Sequence, residues 1–286
     1  MSTRPQPRTI AFQGAHGAYS DLACRTVFPE LETVPCRAFE DAFAAVRTGS
    51  ADLAMIPVEN SLAGRVADVH HLLPDSGLYI IGEHFQPVRH QLLANRGATL
   101  ETVRSVHTHV HALGQCRRRI AELNLRPVVA ADTAGAAAEL AEKPDTSRAV
   151  IASTLAAELY GLAVLESDIE DAEHNTTRFL VLSRNRSDVA AGNGPAITTF
   201  VFQVRSVPAA LYKALGGFAT NGVNLTRLES YMIGGHFVAA QFFADAEGHP
   251  DDPAMRLAFE ELDFFTEEVR VLGAYAAHPF RRRDRA

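Results

Sequence analysis

The sequence predicts an α/β protein built as a two-lobed domain with a cleft, followed by a small ferredoxin-like module of βαββαβ order. Three observations carry this. Short apolar runs alternate with helical patterns over the first 185 residues, which indicates mostly parallel sheets. The stretch from Ser187 to Pro195 is small and polar, with Gly192, Gly194 and Pro195, and reads as a linker. Beyond it the order becomes strand, helix, strand, strand, helix, strand, the ferredoxin-like pattern. A chain of 286 residues is long enough to give two such domains proper cores.

Taken in order, Thr9-Ile10-Ala11-Phe12 reads as a strand, followed by a glycine-rich turn and a helix from near Ser20, a residue able to cap it. Residues 39–46 carry apolar side chains at helical spacing, with Gly49 as the C-terminal stop. Leu53-Ala54-Met55-Ile56 is a buried strand, and Glu59-Asn60-Ser61 opens a helix expected over 61–73. Two strands, 78–85 and 88–94, flank Pro87 as a crossover between lobes. Strands at 103–107, 127–131 and 149–153 build the second lobe, with helices starting near His109, Thr133 and Thr154. The strand at 178–184 returns to the first lobe. The C-terminal module reads as strand 197–204, helix 208–220, strands 224–232 and 236–244, helix 253–262 and strand 268–275. The expected boundaries are 8–186 for the two-lobed domain, with lobes 8–87 plus 178–186 and 88–177, then the linker 187–195 and the module 196–280.

Hydrophobic content of 47% and charged content of 21% are those of a soluble globular protein. A net charge of −7 provides no general basic surface for nucleic acid, and no apolar stretch approaches the roughly 18 residues of a membrane helix. Three cysteines, Cys24, Cys36 and Cys116, lack metal-type spacing and are odd in number, which fits a reducing cytoplasm.

Four segments can carry chemistry. Gly14-Ala15-His16-Gly17-Ala18-Tyr19-Ser20 joins a strand to a helix. It is either a structural turn or an anion site made by glycine-permitted backbone and a helix N-terminus. Pro57-Val58-Glu59-Asn60-Ser61-Leu62-Ala63-Gly64 is either helix capping or a donor set for a carboxylate. His107, His109 and His111 would share a face only on a strand, where they would invite a metal; they lead instead into a helix bearing Gln115 and Cys116. Asn175-Thr176-Thr177-Arg178-Phe179 sets a hydroxyl, a fixed cation and an apolar wall at the mouth of a buried strand. On a regular strand Thr177 and Arg178 face opposite ways.

In this order, these segments resemble the signatures of prephenate dehydratases. The family patterns are a Gly-Pro-x-Gly-type first loop, Pro-x-Glu-Asn-Ser, Ser-His-Pro-Gln running into Gln-Cys, and Asn-x-Thr-Arg-Phe. Here they stand as Gly14 to Gly17, Pro57 to Ser61, Thr108 to His111 with Gln115-Cys116, and Asn175 to Phe179. The C-terminal module resembles an ACT regulatory domain, with Ala209-Ala210-Leu211 for Gly-Ala-Leu and Glu229-Ser230-Tyr231-Met232 for Glu-Ser-Arg-Pro. The likeness spans about residues 9–280. His-Pro-Gln has become His109-Val110-His111, and Ala18 replaces a hydroxyl-bearing residue.

The resemblance implies a periplasmic-binding-protein-like catalytic domain. It implies loss of water and carbon dioxide from prephenate to give phenylpyruvate in phenylalanine biosynthesis, without metal or organic cofactor. Thr177, Asn60 and Gln115 are the implied catalytic set, with Thr177 the donor to the leaving hydroxyl. Ser20, Ser61, Gly64, Thr176, Arg178 and Phe179 are implied to bind substrate. Phenylalanine is implied as an effector at Ala209, Ala210, Leu211, Asn224, Leu225, Glu229 and Ser230, in a homodimer or homotetramer. Plant arogenate dehydratases share the architecture, and Thr133 to Ala137 is a segment able to tune that choice. A non-catalytic binding module is the competing class.

Overall fold

In a computed structural model of the chain, residues 6–205, 207–232 and 239–283 are described. Two compact units emerge, Met1–Val69 with His84–Phe179 and His70–Glu83 with Leu180–Ala286.

The chain begins with β1 (Thr9–Gln13), α1 (Tyr19–Val27), β2 (Glu32–Cys36), α2 (Phe39–Thr48), β3 (Leu53–Asn60), β4 (Gly64–Arg65) and α3 (Ala67–Leu72). Apolar runs make the strands: Ile10, Ala11 and Phe12 are fully buried, as are Ala54, Met55 and Ile56. Helix α2 ends where Gly49 takes a left-handed φ of 90°, which a residue without Cβ adopts freely. Strands β5 (Tyr79–Pro87) and β6 (Gln91–Ala94) follow, then β7 (Ser105–Thr108), α4 (Val110–Gln115), α5 (Arg117–Glu122), β8 (Arg126–Val129), α6 (Thr133–Glu142), β9 (Arg148–Ala152), α7 (Thr154–Tyr160), β10 (Ala163–Glu166) and β11 (Thr176–Ser183).

One sheet runs β2-β1-β3-β11-β5, so β11 returns from the end of the domain to lie beside β3; the other runs β10-β6-β9-β7-β8. The β1–β2, β1–β3, β7–β8 and β7–β9 pairings are parallel, whereas β6 meets β9 and β10 antiparallel. Helix caps follow the sequence: Asp132 accepts from Gly135 N at 2.6 Å to start α6, and Ser153 accepts from Ala156 N at 3.1 Å to start α7. Cys116 is buried in the core of the second sheet with Val106, Ala112 and Ile120, the expected role of a small apolar residue.

Two expectations need correction. No helix spans 61–73. The Asn60 side-chain carbonyl takes the Leu62 and Ala63 N–H groups at 3.0 and 2.8 Å, making a turn that competes with helix initiation. Gly64, at φ 79°, then closes a hairpin pairing Asn60 with Gly64, and only α3 is helical. Ser20 also does not cap α1. Ala18 is the cap position, and the buried Asp21 carboxylate takes Gly17 N at 2.9 Å instead.

The second unit contains β12 (Ala196–Val204), α8 (Ala210–Thr220), β13 (Leu225–Met232), β14 (Ala239–Glu247), α9 (Pro253–Phe265), β15 (Thr266–Ala276) and α10 (Phe280–Arg283). The order from β12 to β15 is the expected βαββαβ, in an antiparallel sheet ordered β13-β14-β12-β15. Residues 236–238 of the strand expected at 236–244 lie outside the described residues. Phe200, Phe202, Phe218 and Phe242 fill the core between sheet and helices.

Candidate active site

The strand mouths of both sheets in the first unit open onto one cavity of about 580 Å³. Tyr19 and Ser20 enter from the start of α1, Asn60 from the end of β3, and Thr177 and Phe179 from β11. His109, His111 and Gln115 enter from around α4, and Thr133 from the start of α6. A volume of this size, walled by apolar groups with a few convergent polar ones, suits a small organic ligand.

The expected catalytic set is brought together. Thr177 and Phe179, two apart on a strand, both face the cavity. Asn60 Nδ2 donates to Thr177 Oγ1 at 3.0 Å and to Asn175 Oδ1 at 2.8 Å, and Asn175 Nδ2 donates to Gln115 Oε1 at 3.0 Å. Because Asn60 donates its hydrogen bond to the threonine oxygen, the threonine keeps its own hydrogen for another acceptor. A hydroxyl that accepts one bond while donating another is polarised as a donor.

The expected substrate-binding set divides. Ser20, Gly64 and Phe179 line the cavity, while Ser61, Thr176 and Arg178 are not among its lining residues. Ser61 Oγ donates to His174 O at 2.7 Å and accepts from Thr176 N at 3.0 Å, tying the end of β3 to β11. Strand parity turns Arg178 to the opposite face, where it is 4% exposed and ion-paired with Glu59 at 3.9 Å. The cation that lines the cavity is Arg65. Only the hairpin at Asn60 brings it there, so the helical reading of 61–73 hid it.

The histidines also separate. His107 packs away from the cavity against Ser105 Oγ at 3.2 Å and Arg148 at 3.4 Å. His109 caps α4 by accepting from His111 N at its Nδ1, 3.3 Å away, and the two rings lie 5.0 Å apart in the cavity wall. Burial, and then the neighbouring His111, lower the His109 pKa below the ordinary imidazole value. Among the described residues no group of three His, Cys, Asp or Glu is arranged to hold a metal ion.

Sequence reasoning missed His90, which is 2% exposed and lines the cavity behind Gln115. The available signal was the polar Arg89-His90-Gln91 triplet interrupting an apolar run. The glycine loop is anchored as well. Ser153 Oγ donates to Gly17 O at 2.5 Å and Tyr160 Oη to His16 O at 2.7 Å, so the loop after β1 rests on α7.

Comparison with known proteins gives the family. The prephenate dehydratase family model matches residues 10–187. A bifunctional N-acyl-homoserine lactone acylase/prephenate dehydratase from Komagataeibacter europaeus is 54% identical, covering 96% of this chain and 98% of that protein. An arogenate dehydratase/prephenate dehydratase from Arabidopsis thaliana is 38% identical over 93% of this chain and 72% of its own length. Among solved structures, one described as a quorum quenching acylase superposes with a TM-score of 0.91, at 54% identity over 96% of this chain and 100% of the other. The prephenate dehydratase of Arthrobacter aurescens in complex with L-Phe gives 0.86, at 34% identity over 94% and 90%. With the family model on the two-sheet domain and these likenesses running nearly end to end, this chain belongs to the prephenate dehydratase family.

Proposed function

We propose that the chain is a prephenate dehydratase, a lyase converting prephenate to phenylpyruvate, water and carbon dioxide, with activity regulated by phenylalanine. The observation that carries the reading is the Asn60–Thr177 bond, in which the cavity-lining Thr177 hydroxyl accepts from Asn60 and so keeps its own hydrogen for a ligand. As the bond from ring carbon to hydroxyl lengthens, Thr177 donates a hydrogen bond to the departing oxygen, which leaves as water with one proton taken up from solvent overall. The bond from ring carbon to carboxylate breaks in turn, and its electrons complete the aromatic ring. A threonine is a poor acid in water, but a placed donor stabilises charge that develops only in the transition state. Phe179 supplies the apolar wall on which the ring carboxylate is lost without a ground-state ion pair. Arg65, Ser20 and Gly64 line the cavity where the side-chain carboxylate would be held. Arg178 holds strand β11 through Glu59.

Incubation with prephenate and detection of phenylpyruvate tests this; folded protein without product would end it. Comparing kcat/KM on prephenate and arogenate places the substrate choice, with His111, at the position of the family's glutamine, and Thr133 as the wall residues to vary.

A second reading is favoured by one observation. The cavity presents two imidazoles, His109 and His111, where the family pattern has one, beside the hydroxyls of Ser20 and Thr133. The Komagataeibacter relative is described as an acylase as well. Release of free homoserine lactone from an N-acyl substrate, lost in His111→Gln with dehydratase activity kept, would establish that activity.

The unit from 196 to 280 is read as the ACT regulatory domain, with 187–195 its linker. Ala209, in a left-handed conformation, with Ala210 and Leu211 stands at the N-terminus of α8, while Asn224 and Leu225 follow its C-terminus. Nine helical residues, Tyr212–Thr220, separate the two sets by about 14 Å along the helix. One amino acid cannot span that distance, so a site using both sets needs two copies of the chain. Glu229 and Ser230 follow on β13, four and five residues beyond Leu225. Phenylalanine-dependent change in sedimentation tests this pairing. No helix among the described residues is long and apolar enough to cross a membrane, and a cytoplasmic setting is the reading adopted for a biosynthetic enzyme.

A further inference from the structure

A chain of side-chain hydrogen bonds runs inward from Thr177, and its proton positions can be deduced from its anchored end. Leu62 N and Ala63 N both donate to Asn60 Oδ1, which identifies that atom as oxygen. Asn60 Nδ2 therefore donates, and its contact with Thr176 O at 3.3 Å, a pure acceptor, agrees. Asn175 must then accept from Asn60 at Oδ1 and donate from Nδ2 to Gln115 Oε1. Gln115 Oε1 lies 2.8 Å from His90 Nε2. Two acceptors cannot face each other at that distance, so His90 Nε2 carries hydrogen. On the far side of the ring, Nδ1 sits 2.9 Å from the Tyr19 hydroxyl, which is also 2.8 Å from Arg89 O. A neutral ring protonated at Nε2 leaves Nδ1 as an acceptor, and the single phenolic proton lies between these two acceptors.

We propose that His90 is a positioning residue for the dehydration, held as the Nε2–H tautomer by Gln115 and Tyr19, and that through Gln115, Asn175 and Asn60 it fixes the direction in which Thr177 presents its hydroxyl hydrogen. The ring is well placed for this. It is buried, its edge meets the Tyr19 ring with centroids 5.6 Å apart, and its backbone N–H is held by Glu170 Oε2 at 2.8 Å. Arg89 secures the same carboxylate at 2.8 Å. Burial, the largest influence, keeps the imidazole pKa below its ordinary value despite the Gln115 bond and Glu170, so the neutral ring is the form present at neutral pH. The opposite tautomer would set a bare nitrogen against Gln115 Oε1. Turning the Gln115 amide would only move the clash to Asn175, and then to Asn60, where two backbone N–H groups forbid it.

The kinetic arm rests on the dehydratase reading of Thr177; the tautomer arm rests on geometry alone. Nitrogen NMR of histidine-labelled full-length protein should show His90 Nε2 as pyrrole-type and Nδ1 as pyridine-type, assigned by loss of the signals in His90→Gln. A pyrrole-type Nδ1 with bare Nε2 would overturn the proposal whether or not the protein turns over prephenate. In kinetics, His90→Leu should lower kcat by about 10- to 100-fold with little change in KM, the scale of a misplaced catalytic group. Glutamine, whose Nε2 can stand in for the imidazole Nε2–H, should restore most of that loss. Equal damage from leucine and glutamine, or none from leucine, would refute the positioning role. Wild-type protein without turnover would instead sink the dehydratase reading, leaving the NMR result to decide the tautomer.

Discussion

Replacing Thr177 with valine removes one oxygen and keeps the shape, so the outcome separates chemistry from packing. The structure sets the two costs apart. Asn60 Nδ2 has two hydrogens and three acceptors: Asn175 Oδ1 at 2.8 Å, Thr177 Oγ1 at 3.0 Å and Thr176 O at 3.3 Å. Losing the hydroxyl leaves two acceptors for two hydrogens, so no buried donor is orphaned. Valine is as suited to a strand as threonine. The stability cost should therefore stay near the net worth of one hydrogen bond, about 1 kcal/mol or less. Catalysis should lose what a donor aimed at a developing charge supplies, about 100- to 1,000-fold in kcat. Thr177→Ser, which keeps the hydroxyl and loses the methyl, should recover most of the rate. The assay is phenylpyruvate formation from prephenate at saturation, paired with a urea denaturation midpoint. Valine within tenfold of wild type would refute the donor role, and serine as slow as valine would show that the methyl group mattered instead of the hydroxyl.

Other outcomes follow from particular contacts. The pKa of His90 is depressed in the folded state, so the folded and unfolded chains are equally unprotonated there well above the unfolded value near 6.5. Below that value the unfolded chain binds the proton first. Stability should fall as pH drops from about 7 towards 5, and His90→Gln should flatten part of that slope of Tm against pH. Gly17→Ala should destabilise by about 2 kcal/mol or more, read by chemical denaturation. Its φ of 87° disfavours a side chain by about 1–2 kcal/mol, and the new Cβ would stand 3.0 Å from the Ala156 backbone. Millimolar phenylalanine should raise Tm, and Asn224→Ala or Ala209→Val should blunt the rise while leaving the uninhibited rate in place; an unchanged response in both would refute the effector assignment.

The parity of β11 was legible in the sequence, because alternation on a strand is a local rule: Thr177 and Phe179 face the cavity together and Arg178 turns away. The starts of α6 and α7 near Thr133 and Thr154 were equally local. What escaped were arrangements that depend on distant partners. The segment after Asn60 has helical spacing, yet the Asn60 side chain captures its own backbone, and Gly64 turns the chain into a hairpin held against β11. That turn carries Arg65 into the cavity. His90 gave little sign of a role because its partners, Gln115 and Glu170, lie 25 and 80 residues away. The division of the three histidines, by contrast, was legible: the strand ends at Thr108, so His107 belongs to a strand and the other two to a helix start.

The seat of the glycine loop on α7 works as a caliper. Gly17 meets Ala156 with no side chain on one side and a single methyl on the other, and Ser153 and Tyr160 hold the two surfaces together. The gap between the two sheets at the cavity rim is thereby set by the thickness of one methyl group. Tyr19 and Ser20 follow that loop at the start of α1, so that thickness also sets how far the phenol reaches towards His90. Neither Gly17 nor Ala156 lines the cavity. The bore of this site can therefore be regauged from outside it, and relatives that accept substrates of different girth have a place to differ that no inspection of the lining would reveal.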